Sequence, residues 1–132
     1  MKIVVIDPGH SGPVEPGACG SGGTQEADVT LQVGQKLADL LGIMGLRTIM
    51  TRTGPIDDDG LTWRAEVANE YAADAFISVH CNGAENRDAE GYEVFTAPGQ
   101  TDSDVLADCI FVEIQNEFPD LDPRTDESDG DV

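Results

Sequence analysis

Residues 3–6, Ile-Val-Val-Ile, form a β-branched run with no polar alternation. A strand with one face in water alternates apolar and polar side chains. A strand buried on both faces does not, and such strands belong to parallel sheets covered by helices. The run passes at once into Asp7-Pro8-Gly9, so it is far too short for a signal-peptide core, and no other segment reaches membrane-spanning length.

The rest of the chain repeats the helix-strand logic. Residues 8–24 are a long loop rich in glycine and proline, and a loop of that length in a small domain is usually functional. Val29, Val33, Leu37, Leu40, Leu41 and Met44 recur at helical spacing across residues 26–44, and Gly45 stops the helix. Residues 46–52 read as a strand and residues 61–73 as a helix with Leu61, Ala65, Ala68 and Ala72 on one face. Residues 75–80 read as a second buried-type strand and 91–96 as another strand. Residues 102–118 read as a helix with Val105, Leu106, Cys109, Val112 and Ile114 as its apolar positions. The predicted fold class is α/β: three layers, with a twisted, mostly parallel open sheet flanked by helices.

With 132 residues there is room for one domain, here residues 1–118, followed by an acidic tail at 119–132 expected to be poorly ordered. The formal net charge is −19, of which residues 117–132 carry −6. Nucleic acid and anionic membrane surfaces call for basic patches, so neither is an expected partner. Three cysteines, Cys19, Cys81 and Cys109, form no CxxC pair and read as free thiols.

In open α/β sheets, ligands bind beyond the carboxyl ends of the strands. Both histidines of the chain fall there, His10 just after the first strand and His80 at the end of the third. Glu26 opens the first long helix, whose N-terminus faces the same edge. Two imidazoles, a carboxylate and an open position make the ligand set of a catalytic zinc site, assembled by the fold rather than by a local HExxH. The bland readings remain open at this point: the helix dipole alone favours a first-turn carboxylate, and a strand-end histidine is often only hydrogen-bonded. The other candidates are weaker. Neighbours on a strand point to opposite faces, so His80 would not meet Cys81 as base and nucleophile. The glycines at 17–23 fit no phosphate-binding pattern, and Asp57-Asp58-Asp59-Gly60 lacks the alternation of a calcium loop.

An ordered set of segments resembles the zinc-dependent N-acetylmuramoyl-L-alanine amidases of the type-3 amidase family. It comprises residues 3–12 (Ile-Val-Val-Ile-Asp-Pro-Gly-His-Ser-Gly), 15–18 (Glu-Pro-Gly-Ala), 23–26 (Gly-Thr-Gln-Glu), 50–52 (Met-Thr-Arg), 61–64 (Leu-Thr-Trp-Arg), 73–82 (Ala-Asp-Ala-Phe-Ile-Ser-Val-His-Cys-Asn) and 91–94 (Gly-Tyr-Glu-Val). The resemblance implies that His10, Glu26 and His80 bind one Zn2+. It also implies that the substrate is the amide joining N-acetylmuramic acid to L-alanine in peptidoglycan, and that Asn82 and Arg64 contact substrate, while Arg52 and Arg64 can equally anchor loops.

One departure from the family pattern stands out. Members similar to this chain continue into a buried strand and a final helix, and that strand carries a glutamate acting as general acid/base. No Val-Leu-Val-Glu-Gly-Phe-like stretch is present here. The expectation is an amidase domain without its last strand and helix, its catalytic carboxylate unassigned. The alternative is a zinc- and peptidoglycan-binding module that does not turn over. Beginning at Met1 without a signal peptide, the chain is expected to be made in the cytoplasm as a monomer. It would act on the cell wall after secretion or lysis, as an endolysin or autolysin does.

Overall fold

The computed structural model describes residues 1–57, 60–86 and 88–124. The chain divides into two compact units, Met1–Gly83 and Ala84–Val132. The first contains β1 (Ile3–Pro8), α1 (Glu26–Ile43), β2 (Arg47–Met50), α2 (Gly60–Glu70) and β3 (Ala75–Val79), and the second contains α3 (Asp102–Glu117).

The sheet of the first unit has the order β2-β1-β3, and both pairings are parallel. The strand predicted to be buried on both faces is the central one. Val5 and Ile6 are fully buried, each contributing about 1.5–3 kcal/mol of apolar burial. Its two faces meet different helices. On one, Ile6, Pro8 and Met50 lie against Gly34 of α1. On the other, the Asp7 carboxylate meets the guanidinium of Arg64 from α2 at 2.6 Å. The first unit is therefore layered helix, sheet, helix.

The character of the interior changes along β1. Val4, Val5 and Ile6 are apolar, whereas buried Asp7 accepts hydrogen bonds from Thr51, Ser78 and Arg64. Burial pushes the Asp7 carboxyl up, but these three donors and the Arg64 charge outweigh it and hold the group below its ordinary value.

Three expectations are corrected. The inward stripe of α1 is Ala27, Thr30 and Gly34, while Val33, Leu40 and Met44 are exposed, because the helix approaches the sheet closely enough to admit only small residues. In α2 the inward residue is Arg64 rather than the stripe of Leu61, Ala65, Ala68 and Ala72. The unpaired charge of Asp7 would be costly without a cation beside it, and that sets the helix rotation. Residues 91–96 form no strand: Tyr92 makes a single bridge to Pro123, donating to Asp122 and accepting from Arg124. A strand needs a neighbouring edge along several residues, and none runs beside this segment among the described residues.

Helix α3 forms where expected, opened by a capping box in which Thr101 accepts from Ser103 and Asp104 accepts from the Thr101 amide. Its inward contacts are Phe111, whose ring lies tilted against that of Tyr92 with centroids 4.7 Å apart, and Gln115, which accepts from the Tyr92 hydroxyl. Val105, Leu106, Cys109 and Val112 are exposed. Of the expected acidic tail, residues 122–124 run beside Gly91 and Tyr92, and 125–132 lie outside the described residues, as do Asp58 and Asp59.

Helix α1 provides a stability test. A Cβ on Gly34 would sit 2.9 Å from Pro8 Cγ, whereas one on Gly42 would meet nothing within 4 Å. Gly42→Ala should gain up to about 1 kcal/mol of helix propensity. Gly34→Ala should be a net loss of about 1 kcal/mol, because crowding a rigid ring exceeds that gain. Urea denaturation of the two variants checks the opposite signs.

Candidate metal centre

Parallel pairing delivers the two histidines to one place. Pro8 is the register partner of Val79, and the Gly9 amide donates to the Val79 carbonyl at 3.0 Å, so His10 and His80 follow at the same sheet edge. Glu26 is the first residue of α1 and points to that edge. His10 Nε2 lies 3.1 Å from Glu26 Oε2, and His80 Nδ1 lies 3.2 Å from Glu26 Oε1. The imidazoles stand edge to face with centroids 4.9 Å apart. One ligand atom from each of the three residues falls within 4.8 Å of the others.

The buried carboxylate of Glu26 is clamped by the fold. Ala18 N–H donates to Oε2 at 2.9 Å and Cys81 N–H donates to Oε1 at 2.7 Å. Burial pushes its carboxyl up, but these two amides and the neighbouring imidazoles prevail and hold it below the ordinary range. Glu26 is thus kept as an anion. Cys81 contributes its amide, while its thiol is pushed up by burial and by the Glu26 charge, which disfavours a thiolate nucleophile.

His10 is fixed more tightly still. Its φ of 65° is left-handed, a conformation that costs a non-glycine residue about 1–3 kcal/mol and persists only where the surroundings impose it. Arg64 Nη2 donates to the His10 carbonyl at 2.9 Å, and the Ser11 and Gly12 amides close the loop onto the Glu15 carbonyl. Arg52 is buried with its donors on the carbonyls of Pro8, Gly9 and Ala27 and on the Thr30 hydroxyl. On the side chain, His10 Nδ1 lies 2.6 Å from Glu15 Oε1.

The donor set fits a cation. A ring nitrogen and a carboxylate oxygen about 3 Å apart are both electron-pair donors unless a proton or a cation lies between them. Here two such pairs share one carboxylate. The space is also kept free of carbon: a Cβ on Gly17 would fall 2.6 Å from His10 Nε2 and 2.8 Å from Glu26 Oε2, and one on Gly9 would fall into the His80 ring. Two nitrogens and a carboxylate oxygen suit zinc.

His10, Glu26 and His80 are brought together as the sequence suggested. Asn82 is exposed two residues beyond His80, in a left-handed turn with φ 52°. Arg64, which the resemblance offered as a substrate contact, is buried with its guanidinium on Asp7 and on the carbonyls of Pro8 and His10. Sequence reasoning assigned no role to Glu15 or Gly17. The signal available was a lone carboxylate within the glycine-rich loop, five residues after a histidine.

Comparison with known proteins places this arrangement. A family model described as N-acetylmuramoyl-L-alanine amidase matches residues 4–129. The amidase AmiA of Salmonella typhimurium is 34% identical over 110 residues, covering 80% of this chain and 36% of the relative. Among solved structures, AmiC2 of Nostoc punctiforme superposes with a TM-score of 0.82 at 35% identity, over 93% of this chain and 66% of that one. An amidase of Clostridium difficile 630 gives 0.84 at 30% identity, over 93% and 67%. The chain spans about a third of the length of the first curated relatives it matches.

Proposed function

Because the chain belongs to the N-acetylmuramoyl-L-alanine amidase family, we propose that it acts on the bacterial cell wall, hydrolysing with Zn2+ the amide between N-acetylmuramic acid and L-alanine of peptidoglycan. The observation that carries this reading is the convergence of His10, Glu26 and His80 within 4.8 Å at the carboxyl edge of a parallel sheet.

In this reading His10 offers Nε2, His80 offers Nδ1 and Glu26 one carboxylate oxygen. Zinc held there supplies Lewis-acid polarisation of a carbonyl and lowers the pKa of water to about 7. The protein's own residues prepare the place. Glu26 is held anionic by the Ala18 and Cys81 amides, and Gly9 and Gly17 keep the approach clear. Arg52 and Arg64 pin the carbonyls of Pro8, Gly9 and His10, so Arg64 serves as a positioning residue for the loop that carries His10. Exposed Asn82 is the substrate contact beside His80.

A second reading, a zinc- and peptidoglycan-binding module without turnover, is favoured by one observation. Both carboxylates seen against the histidines are engaged, Glu26 with two amides and Glu15 with His10 Nδ1. Incubation with purified peptidoglycan separates the two. Zinc-dependent appearance of new L-alanine amino termini, abolished by a chelator, is the result expected of the enzyme. Co-sedimentation with the wall and no release would establish the module instead.

A further inference from the structure

We propose that Glu15 is a positioning residue for His10: its carboxylate accepts a hydrogen bond from Nδ1–H, which leaves the lone pair on Nε2, the nitrogen that faces Glu26. This rests on the zinc reading of the trio and extends it to a residue outside the ligand set.

Donor and acceptor chemistry decides which ring nitrogen carries the proton. An ionised carboxylate only accepts hydrogen bonds, so the 2.6 Å contact between Glu15 Oε1 and His10 Nδ1 puts the proton on Nδ1. The ring nitrogen left over is Nε2, 3.1 Å from Glu26 Oε2 and beside the space that Gly17 keeps free of a Cβ. With the proton on Nε2 instead, that nitrogen would have no lone pair to give to a metal. A charged acceptor also raises the donor strength of the opposite nitrogen, the way carboxylates support metal-bound imidazoles generally.

Glu15 is well placed to impose this choice. Its carbonyl accepts from the Ser11 and Gly12 amides, so its own backbone closes the loop that begins at His10. Backbone and side chain of one residue therefore fix the loop and the ring together. The two histidines are not treated alike. Glu15 aligns His10, the more buried of the pair, while His80 has a 43% exposed side chain and packs over Gly9.

The test compares wild type, Glu15→Ala and Glu15→Asp for zinc affinity by chelator competition. Ring nitrogen shifts of His10 in the zinc-loaded proteins report which nitrogen carries the proton. Glu15→Ala should bind zinc about 10–100-fold more weakly, with faster exchange of the Nδ1 proton. Glu15→Asp should recover part of the affinity, because it keeps the carboxylate on a loop that is partly exposed. Far-ultraviolet circular dichroism should be unchanged in both, since the Glu15 side chain is itself 42% exposed. A wild type that binds zinc, with Glu15→Ala equal to it in affinity and in Nδ1 exchange, would overturn the role of Glu15 and leave the metal reading standing. A wild type that takes up no zinc would overturn the metal reading first, and this inference with it.

Discussion

Zinc content is expected to fall from about one ion per chain in the wild type to a small fraction in Gly17→Ala, a substitution that removes no ligand. A Cβ at position 17 would lie 2.5 Å from His10 Cδ2, 2.6 Å from Nε2 and 2.8 Å from Glu26 Oε2. None of these atoms is the loose end of a flexible side chain. The His10 ring is tied to Glu15, and Glu26 is tied to two amides, so the added carbon can be admitted only by breaking the arrangement. The φ of 69° at Gly17 adds a backbone penalty for any L side chain. Gly22→Ala, in the same loop and with nothing within 4 Å of its Cβ, should keep its zinc. His80→Ala, which removes a ligand outright, sets the floor of the scale. Metal analysis of the four proteins after equilibration and desalting gives the comparison. Full occupancy in Gly17→Ala or His80→Ala would refute the site.

The second large effect is on stability. Arg64→Leu should destabilise the fold by about 3–5 kcal/mol, because it leaves the buried Asp7 carboxylate without its cation. The double variant Asp7→Leu with Arg64→Leu should recover much of that loss, since the cost lies in an unpaired buried charge rather than in the absence of the pair. The pH dependence follows from the direction of the Asp7 shift. Its folded carboxyl is held below the ordinary value of about 3.9. The stability this group contributes is complete above that value and is lost as pH falls through the lower, folded one. Arg64→Leu should flatten this acid limb. Urea titrations across that range measure both effects, and an Arg64→Leu midpoint equal to wild type would refute the structural role of the pair.

Elements were legible in the sequence wherever one force dominated. The uninterrupted Ile3–Ile6 run became the central strand because nothing but burial on both faces suits it. The positions of His10, Glu26 and His80 followed from where strands and helices end. Faces were harder to read. Apolar periodicity placed Leu40 and Met44 inward, but the approach of α1 to Pro8 made small residues the contact surface. Arg64 was hidden for a similar reason, since a charge turns inward only when a distant partner, Asp7, is already there, and no local pattern encodes that. Residues 91–96 carry strand-like composition, but strand formation depends on a neighbour's edge that lies elsewhere in the chain.

The two amides on Glu26 come from Ala18 and Cys81, loops 63 residues apart in sequence, and both meet on one side chain. Glu26, proposed above as a metal ligand, is thereby also a cross-link between the glycine-rich loop and the end of β3. A cation arriving there finds its carboxylate already ordered, so little of its binding free energy is consumed in freezing a side chain. If the site takes a cation as proposed, the coupling runs both ways: whatever loosens either loop would weaken the grip on the cation, and occupancy would raise the temperature at which the two loops part.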